Sequence, residues 1–399
     1  MNFLLIIISA GLAVAAFALA VFLLAEAVLA LFPAEKKRSM ESAGPIAVLM
    51  PAHNEAAAMA ASLENVRAQL RDRDRLIVVA DNCDDNTADI ALKHGAEALI
   101  RNDPGRRGKG FALQYAIDVL RAAPPEIVIF ADADCIFDEG SLQRIASLAS
   151  QEERPVQALY LMKAPDGAGP RLQVAEFAWL FMNKVRMSGL QNMFGVTRFT
   201  GSGFAVSWRD IEKVELGSGE IVEDLALTFQ LTRVGAAPML AEDAVVTSMF
   251  PTGDDALTRQ SARWSLGSLR YGAQSFASLV AEGVSSSNFK LIGAALDLII
   301  PPLTVFVTAL LGTLAFGLLV WLVTGFSGAF SMSLWAFILT GLAIALGWAA
   351  FGRDALPPSA FGGLAEFLLS KLRIFGEAGR ESAKRWTPTR GPDDTEPRS

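Results

Sequence analysis

The chain has 399 residues, 52% of them hydrophobic and 19% charged, with a mean hydropathy of +0.36 and a formal net charge of −7 at pH 7. That balance is too apolar for an ordinary soluble protein of this length, and its acidity, with no basic run interleaved with aromatics, excludes nucleic acid as the main partner. Two cysteines, Cys83 and Cys135, are too few for a disulfide framework and lack zinc-site spacing, so both read as reduced and structural.

Residues 3–32 contain one charge, Glu26, and are long enough to span a hydrocarbon core of ~30 Å. The stretch opens without Lys or Arg and outruns a signal-peptide core, so residues 1–33 read as an uncleaved anchor. Glu35-Lys36-Lys37-Arg38 follows, in a basic linker over 34–44, and the positive-inside rule puts what comes next in the cytoplasm.

Near residue 45 the texture changes to that of an α/β domain. Residues 46–50 read as a first strand with Pro51-Ala52-His53-Asn54-Glu55 as its turn, and an Ala-rich helix over about 56–70 follows. A second strand, 76–80, ends at Asp81-Asn82-Cys83-Asp84-Asp85-Asn86-Thr87. A helix to about 94, a short strand at 98–100, a loop ending Arg106-Arg107-Gly108-Lys109-Gly110, and a helix over about 111–122 come next. Pro124-Pro125 introduces a buried strand, Ile127-Val128-Ile129-Phe130. This alternation implies βαβ units around a parallel sheet, with three polar turns converging on one rim. His53 reads as a turn residue and His94 as a solvated helix end.

The strand at 127–130 runs into Asp132-Ala133-Asp134. Side chains alternate along a strand, so both carboxylates point the same way, at the carboxyl end where open α/β sheets bind ligands. They repel unless a cation lies between them, and Mg²⁺ or Mn²⁺ takes carboxylate and phosphate oxygens together. The plain alternative is an acidic turn. Asp81, at a strand tip, can accept hydrogen bonds from a base or sugar edge, whereas Asp84, Asp85 and Thr87 read as helix N-cap residues. The glycines flanking Lys109 let its ammonium approach phosphate oxygens, although the spacing is not that of a Walker A loop and a solvated flexible turn is the alternative.

Taken in order, Pro51 to Glu55, Asp81, Arg106 to Gly110 and Asp132-Ala133-Asp134 resemble the GT-A domain of family 2 inverting nucleotide-sugar glycosyltransferases. Gly201-Ser202-Gly203, Glu223-Asp224 and Gln260-Ser261-Ala262-Arg263-Trp264 are similar to signatures of its membrane-embedded branch, which includes cellulose, chitin and hyaluronan synthases. The resemblance covers roughly residues 45–270 and implies a Rossmann-like α/β GT-A domain carried by membrane helices. It implies that Pro51, Glu55, Asp81, Lys109, Asp132 and Arg263 bind the donor, a UDP-sugar whose uridine Asp81 reads. Asp134, with Asp132, would hold the metal, and Asp224, beside Glu223, would be the general base. Gly201, Ser202, Gln260 and Trp264 would receive the acceptor.

The residue types suit that chemistry. A departing nucleotide diphosphate needs its charge stabilised by a divalent cation, Arg and Lys, and an attacking hydroxyl needs a carboxylate base. One base with no enzyme nucleophile means a single displacement with inversion. Trp264 offers a flat face to a sugar ring and Arg263 a fork to phosphate. Two plainer readings stand beside these: Trp264, in a helical segment at 257–271, as an interfacial anchor, and Glu223-Asp224 as the N-cap of a helix over 225–232.

Residues 271–302 read as interfacial, with a helix at 288–300 broken at Pro301-Pro302. Residues 303–324 and 331–351 read as two spans around an uncharged turn. The remainder, 352–399, returns to the cytoplasm with Arg353, Lys371, Arg373 and Arg380, is interfacial at 366–375 and turns polar beyond Trp386. The expected protein is a multi-pass enzyme of the cytoplasmic (inner) membrane with its catalytic domain in the cytoplasm. It would serve cell-envelope polysaccharide synthesis, using a saccharide or polyprenyl-linked acceptor, with the lipid bilayer and export proteins as partners. Three spans are few for a polymer tunnel, whereas Gln-x-x-Arg-Trp favours polymer synthesis, so processivity stays open. A membrane scaffold or regulatory pseudoenzyme on the same fold is the alternative class, and the carboxylates at 81, 132, 134 and 224 tell against it.

Overall fold

The computed structural model describes residues 2–32, 41–217, 222–251 and 253–372. The basic run at 35–38, Arg373, Arg380 and the polar segment beyond Trp386 lie outside the described residues.

Helix α1 (Asn2–Leu29) precedes the sheet domain. There β1 (Ile46–Ala52), α2 (Ala60–Gln69), β2 (Arg75–Asp81), α3 (Thr87–Lys93), β3 (Glu97–Arg101), α4 (Lys109–Leu120) and β4 (Ile127–Phe130) alternate. Next come β5 (Ile136–Phe137), α5 (Ser141–Gln151), β6 (Val156–Lys163) and α6 (Pro170–Leu180), which runs through a π-helical turn (Phe181–Arg186) into α7 (Met187–Phe194). The domain closes with β7 (Phe204–Ser207), α8 (Trp208–Ile211), α9 (Glu223–Arg233) and β8 (Met239–Met249). Five helices follow: α10 (Asp254–Ser285), α11 (Phe289–Leu298), α12 (Leu303–Thr324), α13 (Gly328–Gly347) and α14 (Gly363–Leu372).

The eight strands form one sheet in the order β3-β2-β1-β4-β7-β6-β8-β5. The first four are parallel, as the βαβ alternation implies, with Val48 opposite both Leu76 and Ile129. The parallel sheet does not continue. β7 runs antiparallel to β4, and β6 runs antiparallel to β7 but parallel to β8. No single crossover helix joins β4 to β7, so the chain re-enters from the rim where β4 ends, pairing Phe204 with Phe130. Both faces are covered. Val48, Met50 and Ile129 pack in one apolar cluster, and Leu49, Val128 and Phe130 in another, the period-two alternation of a central strand.

Several boundaries differ from the sequence expectation. α2 starts at Ala60 rather than 56 because the amides of Glu55 and Ala56 bond Thr87 Oγ1 (3.0 Å) and Asp85 Oδ2 (3.2 Å), holding this stretch against the second turn. α10 runs unbroken for 32 residues, so the boundary expected at 270 falls inside it. α11, expected to be interfacial, buries Leu291, Ala294, Ala295 and Leu298 against its neighbours. His94 caps the end of α3 and lies 3.3 Å from Glu64 rather than standing free in solvent.

Three helical stretches, Asn2–Leu29, Leu303–Thr324 and Gly328–Gly352, are long and apolar enough to cross a membrane. α1 packs on α13, and both helices bury small residues, Ala16 and Ala20 on α1 and Ala336 and Ala343 on α13 in one cluster, which lets the backbones approach. Their other faces expose Leu4, Leu12, Trp335 and, on α12, Leu322. α1 also docks on the sheet domain. Asn192 Nδ2 donates to the carbonyls of Leu29 and Phe32, each at 2.9 Å, and a Cβ on Gly189 would sit 2.1 Å from the Glu26 carbonyl oxygen.

Candidate active site

The carboxyl ends of β1, β2 and β4 meet the start of α4, α9 and α10 around a cavity of about 1200 Å³. At the β2 end, Asp81 is buried and its Oδ1 accepts from Arg101 Nη1 at 2.6 Å and Asn82 Nδ2 at 2.9 Å. The Pro51–Glu55 turn is laced to the acidic turn: Asp84 N–H donates to Asn54 Oδ1 at 2.8 Å, and His53 Nδ1 lies 2.7 Å from the Asp81 carbonyl oxygen. Asp85 Oδ1 accepts from Thr87 N–H at 3.0 Å and so braces the start of α3, but the N-cap itself is Asn86 rather than Asp84, Asp85 or Thr87.

Lys109 is the first residue of α4. Gly110 cannot carry a side chain, because a Cβ would lie 2.4 Å from the Leu216 carbonyl oxygen. Lys109 Nζ donates to Asp132 Oδ1 at 2.5 Å and to the Gly201 carbonyl at 2.6 Å, and lies 4.0 Å from Glu223 Oε1. Burial alone would lower the Lys109 pKa, but the negative charges of Asp132 and Glu223 raise it, so the ammonium stays charged.

The Gly-Ser-Gly turn explains its own composition. Gly201 has φ +94° and Gly203 φ +70°, left-handed conformations that favour glycine. A Cβ on Gly201 would stand 3.9 Å from Asp224 Oδ2, 3.9 Å from Lys109 Nζ and 4.0 Å from Asp132 Oδ2, so this one spot faces all three groups. Ser202 does not line the cavity; it lies beneath it, with Oγ accepting from Asp132 N–H at 3.0 Å. Gln157, wholly buried in β6, holds the turn from below: Nε2 donates to the Ser202 carbonyl at 2.8 Å and Oε1 accepts from Thr200 N–H at 3.1 Å.

Glu223 and Asp224 form the first turn of α9 rather than its N-cap, which is Val222. Asp224 Oδ1 accepts from the Leu225 N–H at 2.9 Å. Burial pushes both carboxyls up, against the opposing charge of Lys109, Glu223 to about 7 and Asp224 above its ordinary range. Gln260, Arg263 and Trp264 reach the cavity from α10. Trp264 is half-buried, its ring 4.8 Å from Trp179 and tilted by 41°, and Trp179 meets Tyr160 edge-on at 5.5 Å. The ring is thus part of the cavity wall, not a lone interfacial anchor. Of the residues singled out in the sequence, Pro51, Glu55, Asp81, Lys109, Asp132, Asp134, Gly201, Glu223, Asp224, Gln260, Arg263 and Trp264 all line this cavity.

Asp132, Asp134 and Cys135 each offer a ligand atom, all within 4.8 Å of one another. Burial pushes the Cys135 thiol pKa well up, which keeps it protonated and leaves the two carboxylates as the donors. Two hard oxygen donors at the edge of an open cavity fit Mg²⁺ or Mn²⁺ shared with phosphate oxygens. Gln157, Cys135, Arg198 and Arg186 were not singled out as site residues in the sequence. A glutamine inside the apolar strand Val156–Lys163 was the one visible signal among them.

A family model described as Glycosyltransferase like family 2 matches residues 43–267, more than half of the chain. A low-salt glycan biosynthesis hexosyltransferase of Haloferax volcanii is 32% identical over 105 residues, 26% of this chain and 24% of that protein. An uncharacterized glycosyltransferase of Mycobacterium bovis is 31% identical over 122 residues, 29% of this chain and 51% of its own length. The chain thus matches between a quarter and a half of these curated relatives. A mannosyltransferase from Pyrobaculum calidifontis, solved with GDP-Man and Mn²⁺, superposes with a TM-score of 0.57 at 20% identity, covering 93% of this chain and 98% of that one. This likeness is one of fold, a GT-A-like α/β domain with a mixed sheet.

Proposed function

This chain belongs to the glycosyltransferase-like family 2, and from that membership we propose that it transfers a hexose from a nucleotide diphosphate sugar to an acceptor at the cytoplasmic face of a membrane. The observation that carries this reading is the convergence of Lys109, Asp132 and Asp224 on the single open spot above Gly201. Nothing in the packing of a structural domain calls for a half-buried ammonium facing three carboxylates with a cavity beside it.

In this reading Asp81 and the Pro51–Glu55 turn receive the nucleoside, and Lys109 and Arg263 take the diphosphate oxygens. Asp132 and Asp134 hold the divalent cation, which when bound supplies charge stabilisation for the departing diphosphate. Asp224 accepts the proton of the attacking hydroxyl, and its raised pKa makes it a stronger base than an exposed aspartate. With one base and no enzyme nucleophile the transfer is a single displacement with inversion. Trp264 and Gln260 seat the acceptor sugar.

The membrane reading draws on the three long apolar helices and their exposed Leu and Trp side chains, which suit lipid. Because the cavity wall continues onto Leu303 and Thr304, at the start of α12, an acceptor held there lies beside the bilayer surface. Calorimetric titration of the full-length protein with UDP and GDP, each with Mn²⁺ and with chelator, tests the donor half. Metal-dependent binding of one nucleotide is expected, and binding of neither removes the reading.

A further inference from the structure

A chain of buried charges runs from α1 to the cavity wall. Glu26 on α1 and Arg186 in the π-helical turn are both buried, and Arg186 Nε donates to Glu26 Oε2 at 3.1 Å. Arg186 Nη2 donates to the carboxylate of Asp297 on α11 and to the Asp297 carbonyl at 3.1 Å. The second Asp297 oxygen, Oδ2, accepts from Arg198 Nη1 at 2.9 Å. Acids and arginines thus alternate from the first long apolar helix to the cavity, which Arg186 and Arg198 line. Taking such charges out of water offsets most of what their attraction returns, so the chain is a poor source of stability. What it supplies is direction, because each guanidinium is a planar fork held by its acceptors.

The cavity end of the chain lies where orientation matters. Arg198 leads into the Gly-Ser-Gly turn, and amides beyond it are tied down. Phe199 N–H donates to Thr228 Oγ1 at 2.9 Å, Thr200 N–H to Gln157 Oε1 at 3.1 Å, and Gly203 N–H to the Phe130 carbonyl at 2.8 Å. Gly201, within that stretch, carries the spot that Asp224, Lys109 and Asp132 face. Burial pushes the Asp224 carboxyl up and the charges of Lys109 and Arg198 act against it, so this guanidinium stands within electrostatic reach of the base. The other end of the chain is seated as firmly. A Cβ on Gly189 would strike the Glu26 backbone, and Phe22 stacks on Phe194 with ring centroids 6.3 Å apart, so α1 meets α7 on either side of the Glu26–Arg186 bond.

We infer that Glu26 is a positioning residue for the transfer step: through Arg186 and Asp297 it sets Arg198 and the Gly-Ser-Gly turn against the base, which makes the first apolar helix part of the active site's assembly rather than an anchor alone. The consequence for transfer rests on the glycosyltransferase reading, whereas the link from α1 to the turn stands apart from it. An anchor needs only length and apolarity, and a carboxylate at position 26 carries a desolvation cost that a leucine would avoid.

The test uses the full-length protein in detergent and reads amide hydrogen exchange over residues 196–204, nucleotide binding with Mn²⁺, and hexose transfer to a lipid-phosphate-linked saccharide. Glu26→Leu keeps the bulk of the side chain and removes the acceptor, while Arg186 retains Asp297 as a partner. It should speed exchange over 196–204 several-fold and lower kcat roughly 10- to 100-fold, with nucleotide affinity kept. Glu26→Gln, which still offers Arg186 an oxygen, should restore most of both. Glu26→Leu combined with Arg198→Met should transfer no more slowly than Arg198→Met alone, since the first acts through the second. Leu23→Ala, a wholly buried packing loss one turn earlier on α1, should lower the melting temperature without speeding exchange over 196–204. Unchanged exchange in Glu26→Leu, a glutamine no better than leucine, additive losses in the double variant, or the same exchange change in Leu23→Ala overturns the inference. If Glu26→Leu does not fold, Asp297→Asn, which keeps the Glu26–Arg186 pair, is read in its place, and misfolding of both also overturns it. A wild type that transfers no hexose sinks the enzyme reading instead, and the exchange arm still decides the link from α1 to the turn.

Discussion

The ammonium of Lys109 and the carbonyl oxygen of Gly201 lie 2.6 Å apart although 92 residues separate them in the chain. That bond ties the start of α4 to the Gly-Ser-Gly turn, and the same ammonium holds Asp132. Lys109→Met removes a charge that three carboxylates face, and a charged hydrogen bond is worth about 1.5–3 kcal/mol. Affinity for nucleotide diphosphate with Mn²⁺ should fall by roughly 10- to 100-fold. Titration calorimetry on wild type and variant checks it, and unchanged affinity would remove Lys109 from the donor site.

Gly201 and Gly203 should fail differently. A Cβ on Gly203 would lie 2.4 Å from Val246 Cγ1, in the packed sheet, whereas one on Gly201 meets nothing closer than 3.9 Å. Both also occupy positive φ, which costs an alanine about 1 kcal/mol or more. Gly203→Ala should therefore lower the melting temperature more than Gly201→Ala. Gly201→Ala should fold and lose transfer, its methyl filling the spot between base, lysine and Asp132. A Gly203→Ala protein as stable as Gly201→Ala contradicts this.

Glu223 links the site to pH. Burial raises its pKa from 4.5 to about 7, so the folded protein holds a proton that the unfolded chain has already released over that interval. This contribution is fully present below pH 4.5 and is lost as pH rises through about 7. Glu223→Gln should flatten the fall of melting temperature across that window. Asp224 is shifted the same way, and because the base must be deprotonated, transfer should increase with pH along a limb above the ordinary aspartate range. A wild-type melting temperature that rises from pH 4.5 to 7 at the same slope in the variant would contradict the assignment.

Gln157 is a positioning residue whose effect should spare nucleotide. Gln157→Leu leaves the Ser202 carbonyl and Thr200 N–H without their partner, at a cost of about 1–3 kcal/mol per buried group, and loosens the turn beneath the acceptor. The expected signature is a melting-temperature loss with transfer reduced and nucleotide affinity kept. Equal losses of both would make Gln157 a general core residue.

The site's rim was legible because its parts are local. A β-branched run that stops on carboxylates, or a lysine between glycines, states its chemistry within a few residues, as at Asp81, Asp132 and Lys109. The parallel half of the sheet was legible for the same reason, through alternation of strand and helix. The reversal at β7 was not, since it depends on where the chain re-enters after β5, α5, β6, α6 and α7. Nor were Gln157, Arg198 and the Glu26–Arg186 pair, whose partners stand 45, 99 and 160 residues away. Cys135 reads as structural in the sequence, and its burial agrees, but its neighbours are the two aspartates.

The most direct measurement is sugar transfer itself, by purified full-length wild type and Asp224→Asn, each given a nucleotide-hexose, Mn²⁺ and a lipid-phosphate-linked saccharide. Mass spectrometry follows the product and NMR its anomeric configuration. Wild type should add one or more hexoses with inverted configuration, and Asp224→Asn should bind nucleotide as tightly while transferring ~10²–10⁴-fold more slowly. A product of retained configuration, or transfer undiminished in Asp224→Asn, would contradict a single displacement driven by this carboxylate.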